Sequence, residues 1–192
     1  MECRGYNRTN CRWRRNHDDK DRKIAYTNEN NFSTYSIELS HLLLASASEV
    51  DVIAKSICKF LDPKSHAENI FYYQKIIAVN LPEFVDEIIY IPRFNLTFRP
   101  WSNWKADIPP EWWTSYNGVK HHRGERFEEA NLGNALNAMA GLLVSEFYYY
   151  KLKFKSQDIP IKENDDITIL LPDNSEFLRL DDSYYPSYIQ WG

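Results

Sequence analysis

The stretch SIELSHLLLASASEVDVIAKSICKFL, residues 36–61, decides the fold class because it has the strongest periodicity in the chain. Its apolar residues recur every three or four positions, a spacing that places them on one face of an α-helix. They are Leu39, Leu42, Leu43, Ala47, Val50, Ile53, Ile57 and Phe60. We therefore predict a helix, capped at its start by Ser33 or Thr34 and ended by Asp62-Pro63.

Three further segments carry helical periodicity. We predict helices over residues 66–79, before Pro82, and over residues 110–122, where Pro110-Glu111 suits a first helical turn. Gly124 then bends the chain, and the longest helix follows over residues 126–153. Small residues at 138, 140 and 141 allow close packing against that helix. Four helices of this length favour a bundle.

Short runs of β-forming residues interrupt and follow the helices. Residues 88–91 and 95–98 predict a small β excursion, and residues 99–110 predict an ordered loop held by Trp101 and Trp104. Residues 167–171 and 176–180 predict a hairpin around Pro172-Asp173-Asn174-Ser175. The predicted fold is thus mainly α, a four-helix bundle with a short β excursion and a C-terminal β-hairpin. We divide it into an arm (1–35), a helical domain (36–155) and a tail (156–192).

Charge and cysteine content narrow the class of protein. The chain has 192 residues and a net charge of −4, yet residues 1–23 carry eight basic and four acidic side chains. That arm either contacts nucleic acid or is a solvated terminus. It has no apolar signal segment, and no apolar run has the length of a membrane span, so we expect a cytoplasmic protein without membrane contact.

Several classes of site are disfavoured. Cys58 lies in a helical pattern and is predicted to be a core thiol, while Cys3, Cys11 and His17 could supply three metal ligands but lack a fourth. We therefore expect no metal and no cofactor. Phosphate-loop and dinucleotide fingerprints are absent, as are paired-histidine metal motifs and any context for a nucleophilic cysteine or serine.

The segment WWTSYNGVKHHR, residues 112–123, is the candidate site. On a helix, Asn117 and His121 share a face, as do Tyr116 and Lys120. An amide one turn away can orient an imidazole, which titrates near neutral pH and suits proton transfer. Lysine and arginine suit phosphate charge. We take His121, Asn117 and His122 as candidate catalytic residues; the candidate substrate-binding residues are Tyr116, Lys120 and Arg123.

Structural explanations compete with these roles. The helix dipole alone favours His121 and His122 near a C-terminus, where Lys120 and Arg123 could be solvated charges. Trp112 and Trp113 are either core anchors or base-stacking platforms. Glu49 and Asp51 belong either to a second acidic element of the site or to a solvated stripe.

Residues 37–150 resemble uncharacterised bacterial proteins with an HEPN-like domain. The motif is Tyr116-Asn117-Gly118-Val119-Lys120-His121, with the amide and imidazole at the family's spacing. The other matching stretches are Ser36-Ile37-Glu38-Leu39, Ser48-Glu49, Ile91-Pro92-Arg93-Phe94-Asn95-Leu96, Trp112-Trp113, Ala130-Asn131-Leu132 and Asn134-Ala135-Leu136-Asn137-Ala138. Active members carry arginine where this chain has Tyr116, and a phenol supplies no permanent charge.

The resemblance implies a four-helix fold and metal-independent cleavage of RNA, in which two copies of the motif line one cleft of a homodimer. It also implies a toxin-type effector, in antiphage defence or with a cognate antitoxin. The alternative is a catalytically degenerate helical module that binds RNA or a partner protein, which the tyrosine at position 116 favours.

Overall fold

The computed structural model describes residues 29–157, 167–171 and 177–185, and the protein is mainly helical. The helices are α1 (Ile37–Leu61), α2 (Ile70–Asn80), α3 (Glu111–His121), α4 (Leu132–Ser156) and the short α5 (Ile167–Leu170). Strands β1 (Ile89–Ile91) and β2 (Leu96–Phe98) form a two-stranded antiparallel sheet. In the described residues, no helix has the length and apolar character needed to cross a membrane.

The helix starts are set by side-chain caps. Ser36 caps α1 by accepting a hydrogen bond from Leu39 N at 3.2 Å, so the predicted caps Ser33 and Thr34 were wrong. Thr34 has another role, because its carbonyl accepts from Leu132 N at the start of α4. Asn69 caps α2, which therefore begins four residues later than the periodicity predicted.

The start of the longest helix also differs from the prediction. Phe127–Glu129 forms a separate 3-10 turn, and α4 begins only at Leu132. The side chain of Asn131 accepts from Asn134 N at 3.0 Å and so satisfies one of the backbone donors at the helix start. The polar side chain at position 131 thus explains why one predicted helix becomes a turn and a helix.

Helices α1 and α4 lie side by side and run parallel. Tyr35 pairs with Asn131 where the two helices start, and the Phe60 and Tyr149 rings lie 5.8 Å apart towards their ends. The core between the helices is fully buried and includes Leu43, Ala47, Val50, Ile57, Ala138, Val144 and Phe147. Cys58 is also buried, as predicted, and burial raises the pKa of its thiol to about 12.

A layer of aromatic side chains covers the middle of α4. Trp101 and Trp112 are 1% and 2% exposed, and their indole nitrogens donate to Gly141 O at 3.3 Å and Pro100 O at 2.8 Å. A Cβ on Gly141 would lie 2.9 Å from Trp112 Cζ2, so this position needs glycine for the indole to approach the helix. Of the two indoles predicted to hold the loop, Trp101 bonds to α4, whereas Trp104 is 3% exposed and packs against Trp101 in a 3-10 helix over Ser102–Ala106.

The β excursion is confirmed, with Ile89 opposite Phe98 and Ile91 opposite Leu96. The predicted C-terminal hairpin is wrong, because Ile167–Leu170 is a helical turn and Arg179 pairs antiparallel with Tyr90 of β1. Leu178 and Leu180 are buried in the core, and this packing is favoured over pairing of the two segments as a hairpin. The predicted turn at 172–175 lies outside the described residues, as do the arm residues Cys3, Cys11 and His17.

Candidate nucleic-acid interface at the end of helix α3

Helix α3 is buried along one face and exposed at its C-terminal end. Trp112, Trp113, Tyr116 and Val119 are between 1% and 7% exposed. In contrast, residues 120–123 are all exposed. The helix therefore divides the predicted segment into an aromatic face in the core and four consecutive basic or titratable side chains at the surface. We call these four residues, Lys120, His121, His122 and Arg123, the cationic end of α3.

Tyr116 is a core residue that holds one of these cations. Its hydroxyl accepts a hydrogen bond from Lys120 Nζ at 2.9 Å and lies 3.5 Å from Ser48 Oγ on α1. The Lys120 ammonium also lies 5.1 Å from the centre of the Tyr116 ring. The hydrogen bond to Tyr116 is the main cause of a raised pKa for Lys120. The side chain is therefore anchored while it keeps its charge.

Asn117 has a different partner from the one expected for a catalytic amide. Its Nδ2 donates to the carbonyl oxygen of Trp113 at 3.1 Å, one turn back in the same helix. In the parts of the chain that the structure describes, no hydrogen bond joins Asn117 to His121. The predicted pairing of amide and imidazole is therefore not formed in this structure.

The two histidines lie where α3 ends. His121 is the last helical residue, and His122 follows as the C-cap, with its backbone N–H donating to Gly118 O at 2.8 Å. Both side chains are exposed, and neither imidazole has a hydrogen-bond partner within the described ranges. Both rings are open to a ligand from solvent.

Arg123 connects the turn after α3 to the start of α1. Its Nη2 donates to Ser40 Oγ at 3.3 Å, and its guanidinium carbon lies 5.5 Å from the centre of the Phe127 ring. Ser40 is fully buried. The inner edge of the guanidinium is therefore fixed, whereas the residue as a whole is exposed and has further N–H donors for an anion.

Arg126 is nearby but is neutralised. Its Nε pairs with Glu129 Oε1 at 2.6 Å, and the two side chains lie against the backbone of Gly118. A Cβ on Gly118 would lie 2.6 Å from Arg126 Cζ and 2.7 Å from Glu129 Oε2. A glycine in the middle of a helix costs stability, and here it is explained by this close approach. Among the described residues, Lys120 and Arg123, unlike Arg126, form no ion pair with a carboxylate, although Asp51 is near enough to Lys120 to add to the raised pKa that the Tyr116 hydrogen bond causes.

A polar stripe runs along α1, and its first half lies beside this site; of its members, the sequence singled out only Asp51 as a candidate element of the site. The stripe consists of Ser40, Ser48, Asp51, Lys55 and Lys59. Ser40 contacts Arg123, and Ser48 lies next to Tyr116. Asp51 accepts from Tyr73 Oη at 2.7 Å and pairs with Lys55, so it has a structural role in this stripe. Spacings of four and three residues are the signal that could have revealed it.

The arrangement is chemically suited to anions rather than to metal ions. Within residues 29–157, 167–171 and 177–185, no group of three histidine, cysteine, aspartate or glutamate side chains could hold a metal ion. The cationic end of α3 offers an ammonium, a guanidinium and two imidazoles at one surface. Comparisons of the chain with protein-family models, with curated proteins and with solved structures found no match.

Proposed function

We propose that the protein binds RNA through the cationic end of α3, as an HEPN-like module. The observation that carries this proposal is that Lys120 and Arg123 are anchored on their inner sides, by Tyr116 and Ser40, yet remain exposed. A side chain that is already held loses less conformational entropy when it binds a ligand. Anchored cations therefore favour a binding surface over freely solvated charges.

The two cations match a phosphate backbone in complementary ways. The Lys120 ammonium is a compact point charge, whereas the planar Arg123 guanidinium presents paired N–H donors to phosphate oxygens. The exposed rings of His121 and His122 lie between these two residues in sequence and can donate to phosphate or ribose oxygens when protonated. The four side chains together suit a backbone contact that does not depend on base sequence.

Binding is tested by fluorescence anisotropy with a labelled 2′-O-methyl oligoribonucleotide, which lacks the hydroxyl needed for cleavage, in the presence of a chelator. We expect affinity to fall with salt, and Lys120→Gln and Arg123→Gln each to reduce the salt slope by about 1. Lys75→Gln is the matched control, because Lys75 is exposed on α2 over Tyr72. Equal effects of all three substitutions, or no binding at low salt, would exclude the proposal.

A second candidate function, metal-independent RNA cleavage, is favoured by the two open imidazoles beside anchored cations. One imidazole would take the proton of a ribose 2′-hydroxyl, and that oxygen would attack the adjacent phosphorus. A second imidazole, from the same end or from a partner subunit, would protonate the leaving 5′-oxygen. Lys120 and Arg123 would stabilise the charge on the phosphorane. The products are a 2′,3′-cyclic phosphate and a free 5′-hydroxyl.

Cleavage is measured on an unmodified oligoribonucleotide in chelator. His121→Ala or His122→Ala should slow it by about 10²-fold or more, with anisotropy showing that the 2′-O-methyl analogue still binds. The double variant, purified in parallel, reports any contaminating nuclease. Equal rates for the double variant and the wild-type protein would remove the cleavage function and leave RNA binding standing.

A further inference from the structure

A cavity of about 490 Å³ opens where α1 ends and the chain turns towards α2. It is lined by Lys55, Lys59, Ser65, His66, Ala67 and Glu68. Its volume is within the range of sites that hold small ligands or single groups of larger ones. It shares none of its lining residues with the cationic end of α3.

Hydrogen bonds tie part of the wall of this cavity to the end of α1. Ser65 N donates to Asp62 O at 2.9 Å, and Ser65 Oγ donates to Cys58 O at 3.4 Å, which ties the turn to the last residues of α1. Asp62 in turn is the C-cap of α1 and accepts from Lys64 N at 3.0 Å. The turn that carries Ser65 is therefore held against the last residues of α1.

Lys59 is the cation of this lining that is available to an anion. Lys55, one helical turn away, pairs with Asp51, which is itself held by Tyr73, so the charge of Lys55 is balanced. His66 adds an imidazole to the lining, and Glu68 adds one carboxylate. Lys59 is exposed and has no ion pair with any residue in the described part of the chain.

The cavity and the cationic end of α3 both adjoin the polar stripe of α1. Ser40, which contacts Arg123, and Lys59, which lines the cavity, mark the two ends of the polar stripe of α1. At ~1.5 Å per residue the helix between them is ~28 Å long. Arg123 lies beside Ser40, and Lys120 is held by Tyr116 next to Ser48. Lys59 lies at the far end of the stripe, beyond the paired Asp51 and Lys55.

We infer that the cavity is a second phosphate-binding subsite and that the ligand of this surface is a single-stranded RNA lying along α1. This inference rests on the proposed function. A single strand can bend a phosphate or a nucleotide into a recess, whereas duplex RNA keeps its stacked form and is bound by shape across its minor groove. Backbone-tracking sites of this kind cover about 4–16 nucleotides.

The test uses anisotropy with 2′-O-methyl oligonucleotides of about 4 and about 12 nucleotides, chosen from that range. The longer strand should bind at least ~10-fold more tightly, and Lys59→Gln and His66→Gln should each remove part of that gain. Lys59→Gln should also reduce the salt slope for the longer strand by about 1 and leave the shorter strand unaffected. Lys75→Gln serves again as the control, and circular dichroism checks that each variant is folded.

The outcomes separate this inference from the proposed function. Equal affinity for the two lengths, or a Lys59→Gln variant that matches Lys75→Gln, overturns the second subsite while the Lys120 dependence still supports RNA binding. Equal binding of a duplex of the longer strand overturns the assignment to single strands. If neither length binds the wild-type protein at low salt, the proposed function itself fails.

Discussion

Both ends of helix α3 contain residue types that occur at nucleic-acid sites, yet one end is buried and the other is exposed. At its start, Trp112 and Trp113 are 2% and 7% exposed and contact other aromatic rings. At its end, residues 120–123 are exposed. Of the alternatives for the indoles, core anchors are therefore confirmed and base-stacking platforms are excluded. Residue type suggests a chemistry, and burial decides whether that chemistry is available to a ligand.

The largest expected effect belongs to the buried end of α3. Trp112→Ala should lower the free energy of unfolding by ~3–5 kcal/mol, because it leaves a cavity against Gly141 and removes the hydrogen bond to Pro100 O. Urea denaturation followed by circular dichroism measures this change. Tyr72→Ala is the control, since Tyr72 is 52% exposed and should change stability by less than ~0.5 kcal/mol. Similar effects of the two variants would contradict the comparison.

Tyr116 lies between the buried start and the exposed end of α3, so its substitution affects both stability and the exposed cations. Tyr116→Phe keeps the buried ring and removes the acceptor for Lys120, which should cost ~0.5–1.5 kcal/mol of stability in urea. RNA affinity should also fall, because Lys120 loses its anchor. A stability loss without any change in the salt dependence of binding would show that the anchoring of Lys120 is irrelevant to RNA.

The buried part of the molecule should also determine how stability changes with pH. Glu87 is 7% exposed, and Tyr148 and Tyr184 both donate to its Oε1, at 2.6 and 2.7 Å. Burial raises the pKa of this carboxyl group. Its contribution to stability is therefore complete below the pKa of the unfolded chain and is lost as pH rises through the folded value.

Glu87→Gln keeps an oxygen acceptor for both phenols and removes the charge. The free energy of unfolding of the variant minus that of the wild-type protein should be larger near neutral pH than at about pH 4. The reason is that the wild-type carboxyl group is charged in the first condition and largely protonated in the second. Thermal melts at both pH values measure this difference, with Glu128→Gln as an exposed control. A constant stability difference between the two pH values would contradict the role of Glu87.

The smallest effect on stability is expected at the exposed end. His121→Ala removes an imidazole that has no hydrogen-bond partner among the described residues, so the free energy of unfolding should change by less than ~0.5 kcal/mol. The same urea titration measures this difference. A loss as large as that of Trp112→Ala would show that His121 is a structural residue and would remove it from the candidate site.

Sequence periodicity predicted most of the helical structure, because long amphipathic segments are specified locally. The spans of α1 and α3 and the positions of β1 and β2 were predicted closely. The short segment 167–171 was predicted incorrectly, since a run of five β-forming residues contains too little periodicity to distinguish a strand from a helical turn. Its outcome depends on packing against the core, where Leu170 and Leu171 are buried.

The candidate site was predicted in part. The i,i+4 spacing predicted the contact between Tyr116 and Lys120, but the same rule also suggested that Asn117 would face His121. Asn117 instead donates to the carbonyl oxygen of Trp113, one turn back. This backbone acceptor competes with the His121 imidazole for the amide, and the spacing of residues does not show which acceptor is used. The contacts of Ser40 and Ser48 join residues far apart in sequence, so they could not be derived from spacing alone.

The most direct test of the RNA-binding surface is an NMR titration that follows the imidazole C–H resonances of His121 and His122, assigned by single substitution. A 2′-O-methyl oligonucleotide of about 4 nucleotides is added at low salt. We predict that both signals shift in a saturable manner and that Lys120→Gln weakens the apparent affinity. Saturable binding that leaves both signals unchanged would show that the RNA contacts another part of the protein and would contradict the account.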